Sequence, residues 1–295
     1  MLTLLNIQDY MSRALRGETS VSPASLSEFT DDCNHSAKRQ LTERRGEYRI
    51  RMSGLGRPLC QQVLDKQGIK ESMQYNTLFR FMFGDMVESL LMLVMREAGV
   101  VDSQRQVELE LGGQTIKGTL DVIIRDELGV EKVWDVKSAS DWAYKNKFTG
   151  FGGYDSIKDD DPFGYVMQGY LYSAATGMPF GGWIVVNKSS GEVAVVEAPE
   201  WQDDDREAYL ADAVDRVKFL TNPSVKPFKP FPDEYETYRR KGETLRTENK
   251  VLSKECNLCG YRNHCWPDAT LHPKVTSQAK NPPMVWYTKL KQKEL

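Results

Sequence analysis

The sequence predicts an α/β fold, and three observations support that prediction. The chain has 295 residues, of which 40% are hydrophobic and 27% charged, enough for one large domain with a small appended module. Alternating or continuously apolar segments predict strands at 105–111, 182–188 and 192–198. Helical periodicity predicts helices at 76–99, 162–176 and 202–220. Strands interleaved with helices are typical of a mixed β-sheet flanked by helices.

The most informative segment is a predicted hairpin, residues 118–137, whose sequence is GTLDVIIRDELGVEKVWDVK. Its polar turn, residues 126–129, closes on a glycine. A hairpin centred near Leu128 places Asp121 opposite Asp135. Directly opposed residues in an antiparallel pair have Cβ atoms about 4.5–5.5 Å apart. Two carboxylates at that distance repel each other unless they share a cation.

Lys137 adds an ammonium group to this predicted acidic pair. Asp135 and Lys137 are two residues apart, so they leave the strand on the same face. Two carboxylates that hold a divalent ion, with an amine beside them, are the groups that hydrolysis of a phosphodiester requires. Taken alone, an Asp-x-Lys pair is more typical of a solvated strand face with a weak ion pair, so the remaining motifs decide between the two interpretations.

Two predicted helices supply further polar side chains. Gly84 and Glu88 are four residues apart and share a face, and Glu88 stands among apolar residues, where an acid needs a partner, a metal or a position at the solvent rim. Gln168 and Tyr172 share a face in the same way. An amide can orient a phosphate or a water, and a tyrosine can contact a phosphate or stack on a base. The same pair is also typical of buried polar groups that satisfy their neighbours.

Residues 138–164 are rich in glycine, aspartate and aromatic residues and predict a long loop. Long loops in compact domains frequently carry function, so a lid or a flap over a bound strand is one interpretation. For the acidic stretch 155–161, a disordered surface excursion is the favoured interpretation.

Three of the five cysteines form a Cys-x₂-Cys-x₅-Cys cluster, made of Cys256, Cys259 and Cys265. An odd number of cysteines in a chain without signs of secretion disfavours a disulfide framework. Two thiolates separated by two residues can reach one metal centre, and the third follows after a short loop. A tetrahedral or cubane site then needs a fourth ligand from elsewhere in the chain.

Cys60 is the better candidate for that fourth ligand, and Cys33 is the alternative. If the metal is zinc, His264 could serve instead, with His35 a weaker choice. Ligation by four cysteines with a distant fourth residue favours a [4Fe–4S] cluster over zinc, and ordinary buried thiols remain a third interpretation. Closing Cys60 onto the cluster would stabilise the fold by joining distant parts of the chain.

The net charge of −3 hides local basic segments. Candidate nucleic-acid-binding residues lie in two of them: Arg44, Arg45, Arg49, Arg51, Arg239, Arg240 and Lys241. Charge at the contact matters more than the total, although a solvated surface is an equal alternative for each segment. No apolar run is long enough to span a bilayer and the first residues do not resemble a signal peptide, so we expect a cytoplasmic protein.

The order of these motifs resembles one family, the PD-(D/E)xK nuclease superfamily, in the branch of RecB- and AddB-type nuclease domains and CRISPR-associated RecB-like exonucleases. The matching residues run in sequence order over about residues 50–270: Cys60, Gly84-x-x-x-Glu88, Gly118-Thr119-Leu120-Asp121, Asp135-Val136-Lys137, Gln168-x-x-x-Tyr172 and the C-terminal cysteine cluster. The single motifs are weak, but all of them in this order are specific. The resemblance implies a restriction-endonuclease-like core.

The resemblance also implies roles for the hairpin residues. Asp121 and Asp135 would bind Mg²⁺ or Mn²⁺, and the carbonyl of Val136 would complete the site. Lys137 would position or activate the attacking water. The chain departs from many relatives at Glu88, where they carry His, although phage-type exonucleases frequently carry Glu there.

For the other motifs, the resemblance places Gln168 and Tyr172 in the family's Gln-x-x-x-Tyr motif beside the catalytic centre. Cys60 and the C-terminal cysteines would hold an iron–sulfur cluster that joins the C-terminal segment to the N-terminal part of the domain. The predicted organisation is therefore an N-terminal basic arm or helical extension at 1–50, a nuclease core at 51–222, and a linker with a cysteine module at 223–295.

These features together predict a metal-dependent DNA exonuclease, acting on single-stranded or free ends in recombination, repair or phage DNA processing. An endonuclease or flap nuclease on the same fold is one alternative. A non-catalytic, metal-stapled DNA-binding protein is another. A homo-oligomer or a recombination partner would be compatible with each of these functions.

Overall fold

The computed structural model describes residues 2–42, 47–69, 74–100, 105–200 and 203–291. Its α-helices are α1 (Leu2–Leu15), α2 (Pro23–Leu41), α3 (Met52–Leu55), α4 (Leu59–Lys66), α5 (Tyr75–Glu97), α6 (Asp141–Ala143), α7 (Tyr154–Asp159), α8 (Tyr165–Thr176), α9 (Asp203–Thr221), α10 (Lys254–Asn257) and α11 (Arg262–Cys265). Its strands are β1 (Arg105–Leu111), β2 (Gln114–Leu120), β3 (Val122–Arg125), β4 (Glu131–Ala139), β5 (Phe180–Asn187), β6 (Val193–Glu197), β7 (Glu234–Arg240), β8 (Glu243–Val251), β9 (Thr270–Pro273) and β10 (Met284–Lys289).

The chain forms two compact units, and the first comprises residues 1–58 and 75–223. Its central sheet has the strand order β3-β4-β5-β6. The β4–β5 pair is parallel and the two outer pairs are antiparallel. The predicted class, a mixed sheet flanked by helices, is confirmed. A parallel pair needs a crossover connection, and here the crossover runs from β4 through α8 to β5.

Apolar side chains cover both faces of this sheet. On one face, residues of α1 and α5 pack against the strands in a core cluster: Ile7, Leu91, Met92, Met95, Val122, Ile124, Val136, Ile184 and Val186. On the other face, α8 contributes the buried side chains of Met167, Tyr170 and Leu171. Burial on both faces explains why β5 reads as a continuous apolar run rather than an alternating one.

The predicted hairpin forms, but its first strand is divided. Asp121 lies between β2 and β3, and β2 pairs with β1 in a separate two-stranded sheet. The β3–β4 turn is held by Asp126, whose Oδ1 accepts hydrogen bonds from the amides of Leu128 and Val130, both at 2.9 Å. Gly129 closes the turn with a φ of 82°, a conformation that favours glycine.

The segment 138–164 is ordered by short helices, so the predicted surface excursion at 155–161 is wrong. It contains α6, a π-helical segment (Tyr144–Phe148) and α7, and Ile157 of α7 is 2% exposed. Asp161 accepts hydrogen bonds from the amides of Tyr165 and Val166, both at 2.9 Å. Its carboxylate thereby satisfies two of the donors that the first turn of α8 leaves free.

The second unit comprises residues 59–74 and 224–295 and contains an antiparallel sheet of order β7-β8-β10-β9. Glu236 is buried in it and accepts hydrogen bonds from Asn249 Nδ2 at 2.8 Å, Tyr287 Oη at 2.8 Å and Thr276 Oγ1 at 3.0 Å. Burial opposes ionisation, but these three donors lower the pKa of Glu236 on balance. The carboxylate therefore stays charged inside the unit.

The N-terminal helices α1 and α2 belong to the first compact unit. Arg39 on α2 lies 2.6 Å from Asp85 on α5, and Ser22 Oγ donates to Glu97 at 2.8 Å. The division into an arm, a core and a module as independent folding units stays a prediction. None of the described helices combines the length and the apolar character that a membrane span requires.

Candidate functional site

Asp121 and Asp135 face each other at the start of β3. The register pairs Val122 with Trp134, which sets the preceding Asp121 opposite Asp135. Asp121 Oδ2 accepts a hydrogen bond from the amide of Val136 at 2.9 Å. Burial, followed by the negative charge of Asp135, raises the pKa of Asp121. Burial also raises the pKa of Asp135, against the attraction of Lys137.

Lys137 forms a close ion pair with Asp135, with 2.6 Å between Nζ and Oδ2. Burial favours the neutral amine, but the carboxylates of Asp135 and Asp121 outweigh it and raise the pKa of Lys137. The lysine is therefore an ammonium ion. Asp135 is 1% exposed, so this pair is not the solvated strand-face ion pair that Asp-x-Lys more commonly forms.

Gln168 and Tyr172 reach this site from α8. Gln168 Nε2 donates to Asp135 Oδ1 at 2.9 Å, and Tyr172 Oη donates to the carbonyl of Thr119 at 2.8 Å. The close packing depends on Gly118, because a Cβ atom there would lie 2.7 Å from Tyr172 Cε1. The helical pair predicted from the sequence thus contacts β4 through Gln168 and β2 through Tyr172.

Glu88 reaches the site from α5. Its Oε1 accepts hydrogen bonds from the amide and the hydroxyl of Ser138, at 2.8 and 2.9 Å. Burial raises the pKa of Glu88, while Lys137 opposes that shift. Gly84 lies one turn earlier, where a Cβ atom would approach Ser138 Oγ to 3.1 Å. The absence of a side chain at Gly84 leaves room for the contact between Glu88 and Ser138.

The electrostatic balance of the site fits a bound cation. One buried and two partly buried carboxyl groups lie near one ammonium group, and Asp135 Oδ2 has no hydrogen-bond donor with good geometry despite its short distance to Lys137. Clustered acids of this kind require protons or a metal ion. Across the described ranges, no three His, Cys, Asp or Glu side chains are already arranged around a common point. Glu88 and Asp121 instead hydrogen-bond to amides of β4, and both would turn toward an ion.

Two residues that contact the site were not predicted. Ser138 holds Glu88, and the ring centroid of Tyr165 lies 5.1 Å from Lys137 Nζ. Ser138 directly follows Lys137 and so leaves the strand on the opposite face, and the packing of α5, which carries Glu88, brings it into contact with the site. Tyr165 opens α8 after Gly164, and no sequence pattern indicates that its ring meets a lysine of β4.

The cysteines of the C-terminal cluster share one cavity of the second unit with Cys60. The cavity is largely apolar, with Phe228, Phe231 and Trp266 among its lining residues. Burial is the main cause that raises the pKa of Cys60 to about 11, and the other three thiols add to it. Cys33 belongs to α2 in the first unit, and His264 and His35 are exposed and do not line the cavity.

The donor set fits a thiolate-bound metal, because four thiols face one apolar space and none of them is in a disulfide. The space has a volume of about 20 Å³, which is enough for one atom of the size of a water molecule. Among the described residues the cysteines are not already arranged around a common point, so binding of an ion or a cluster would require them to move.

The candidate nucleic-acid-binding residues are divided between the units. Arg49 and Arg51 are exposed in the first unit. Arg239, Arg240 and Lys241 are exposed at the β7–β8 turn of the second unit. Arg44 and Arg45 lie outside the described residues.

Comparisons with known proteins give no family assignment. No family model and no curated protein matches the chain. The crystal structure of SSO0001 is 17% identical over 66% of this chain and 87% of that one, with a TM-score of 0.38. The structure of a putative exonuclease from Eubacterium rectale is 13% identical over 68% of this chain and 89% of that one, with a TM-score of 0.42. At these TM-scores neither similarity supports a functional argument.

Proposed function

We propose that this protein is a metal-dependent deoxyribonuclease, an exonuclease that hydrolyses phosphodiester bonds from single-stranded ends. The single observation that supports the proposal is the cluster of Asp121 and Lys137 around the buried carboxylate of Asp135. Placing two carboxyl groups and an ammonium group together away from bulk water costs stability, and such arrangements concentrate at functional sites. A nuclease site is the function that uses all three groups at once.

The residues that would hold a divalent ion are Asp121, Asp135 and Glu88, with the carbonyl of Val136. These are hard oxygen donors, the type that Mg²⁺ and Mn²⁺ prefer. The bound ion would supply Lewis-acid stabilisation of the phosphate and a more acidic water. The carboxylates of the chain supply the negative potential that attracts the ion. The surrounding protein shields the site from bulk water.

Lys137 places positive charge where the phosphate oxygens would lie. Because its pKa is raised, the amine keeps its proton, so it acts as a fixed hydrogen-bond donor and not as a base. Gln168 holds the Asp135 carboxylate through its Oδ1 atom, which leaves Oδ2 directed toward Lys137 and the ion. Tyr172 anchors the backbone at Thr119, two residues before Asp121.

For the second unit, we propose that Cys60, Cys256, Cys259 and Cys265 bind a structural metal centre, a [4Fe–4S] cluster or a zinc ion. The cavity lies in the second unit and the carboxylates in the first, so the two centres are assigned to different units. A thiolate centre would stabilise the small unit, because metal binding adds directly to its folding free energy.

End-labelled linear and circular single-stranded DNA, incubated with Mg²⁺ or Mn²⁺, test the proposed activity. Wild-type protein should shorten the linear strand from its end and leave the circle intact, and EDTA should abolish the reaction. Lys137→Met should lower the rate at least about a hundredfold, since it removes a charge beside the phosphate. Lys132→Met, on the same strand β4, should leave it unchanged.

Cleavage of the circle would instead identify an endonuclease on the same fold. Undiminished cleavage by Lys137→Met, with its fold retained by circular dichroism, would refute the catalytic assignment.

A further inference from the structure

A cleft of about 490 Å³ opens in the first unit, and Glu88 is the one candidate metal-binding carboxylate among its described lining residues. Glu88 and Ser138 line one part of it, and α5, the segment after β4 and the start of α8 form its walls. Its volume lies within the range of pockets for small ligands, about 300–1,000 Å³. A cleft of this size has room for a nucleotide and not for the width of a duplex.

Two of the three cations that line the cleft have no carboxylate partner among the described residues. Lys147 is paired with Asp160 at 2.7 Å. Lys188 and Arg80 form no such pair within the part of the chain that the structure describes. Lys188 Nζ lies 3.6 Å from the point where a Cβ atom on Gly84 would stand, one helical turn from Glu88. The ammonium group of Lys188 therefore lies near Glu88 and is able to bind a phosphate.

An aromatic pair forms another part of the lining. Phe163 stacks on Tyr165 with ring centroids 5.4 Å apart and an interplanar angle of 23°. Tyr165 in turn contacts Lys137, so the stack extends from the catalytic lysine into the cleft. Phe163 is 57% exposed, which leaves a ring surface open to a ligand. An exposed aromatic ring beside cations is the combination that binds unpaired nucleotides.

We infer that this cleft binds one unpaired nucleotide next to the scissile phosphate. The base of that nucleotide stacks on the ring of Phe163, and its phosphate contacts the ammonium group of Lys188. The inference rests on the proposed function and adds to it a subsite for one unpaired nucleotide. A base inside a duplex is already stacked on both faces, so it offers no face to Phe163. The cleft thereby selects strands whose terminal bases are unpaired.

The test measures binding without turnover, in the Asp135→Asn background. The probes are a fluorescein-labelled thymidine oligomer of about 20 nucleotides and a blunt duplex of equal length. Phe163→Ala should weaken binding of the single strand at least about fivefold and leave binding of the duplex within about twofold. Phe151→Ala, an exposed phenylalanine of the same crossover that does not line the cleft, is the matched control and should change neither.

Lys188→Met should weaken binding of the single strand and lower the slope of log Kd against log salt concentration by about 0.7, the value for one phosphate contact on a single strand. Lys145→Met is its control, because Lys145 is exposed on the crossover and paired with Asp141. An unchanged Kd and salt slope in both cleft variants would overturn the inference.

Cleavage assays distinguish a failure of the proposed nucleotide subsite from a failure of the proposed nuclease activity. If wild-type protein degrades DNA while Phe163→Ala and Lys188→Met bind normally, the nucleotide subsite is wrong and the nuclease stands. If the two variants lose binding of the single strand but wild-type protein never cleaves, the subsite stands and the nuclease is wrong.

Discussion

Gln168 donates from the second turn of α8 to Asp135 on β4, across 2.9 Å and within a buried contact. The amide thus fixes one oxygen of a carboxylate whose other oxygen contacts Lys137. This contact joins the crossover helix to the sheet at the candidate catalytic centre, so the orientation of Asp135 depends on the helix.

Gln168→Met should therefore lower kcat about tenfold or more while KM stays within about twofold. The substitution removes a hydrogen bond to a charged group, worth about 1.5–3 kcal/mol, but retains the volume of the side chain. Steady-state kinetics on a single-stranded substrate would measure both constants. A rise in KM with kcat unchanged would show that Gln168 contacts the substrate and does not position Asp135.

Metal binding should weaken as the pH falls. Burial and Asp135 raise the pKa of Asp121 to about 7 in the metal-free protein, and an ion binds only the deprotonated form. The affinity for Mn²⁺ should therefore be constant above this pH and fall about tenfold per pH unit below it. Isothermal titration between about pH 5.5 and 8.5 would measure it. A flat profile over that range would contradict the raised pKa.

Gly118→Ala should destabilise the first unit by about 1–3 kcal/mol, the usual cost of forcing extra volume into a packed site. A Cβ atom there would lie 2.7 Å from Tyr172 Cε1 and 2.8 Å from Met52 Sδ. Gly54→Ala is the control, since nothing lies within 4 Å of its added atom. The control should leave stability unchanged or raise it by up to about 1 kcal/mol, as alanine does in a helix. Urea denaturation would compare the two variants.

Cys60→Ser should remove the thiolate metal centre, whereas Cys33→Ser should retain it. Cys60 lines the cavity of the C-terminal cysteines, and Cys33 belongs to the other unit. Protein purified without oxygen should be brown with absorbance near about 400 nm if it holds an iron–sulfur cluster, or colourless with stoichiometric zinc. Metal analysis of the two purified variants would measure how much iron and zinc each one holds. Equal metal content in both would contradict the ligand assignment.

The sequence predicted the juxtaposition of Asp121, Asp135 and Lys137 better than it predicted the cleft. Alternation of side chains and the turn at Asp126 were enough to set Asp121 opposite Asp135, because register in a hairpin follows from its turn. The break of the strand at Asp121 was not visible, since one aspartate between Leu120 and Val122 is compatible with a single continuous strand. Only the pairing of β2 with β1 explains that break.

The remaining site residues come together through tertiary structure alone. Phe163 and Tyr165 lie within the crossover and Lys188 directly follows β5, and the sequence leaves the path of that crossover undetermined. Asp161 illustrates the difficulty, because an aspartate in an acidic stretch reads as a solvated surface although here it caps α8. Its role depends on the helix that follows, and not on the composition around it.

The most direct test of the central claim is the rate at which end-labelled single-stranded DNA is degraded in Mg²⁺ by Asp135→Asn. The substitution keeps the shape of the side chain and removes one charge from the candidate metal site. We predict a loss of at least about a thousandfold relative to wild type, while Glu131→Gln on the same strand retains full activity. A folded Asp135→Asn protein that degrades DNA at the wild-type rate would contradict the account.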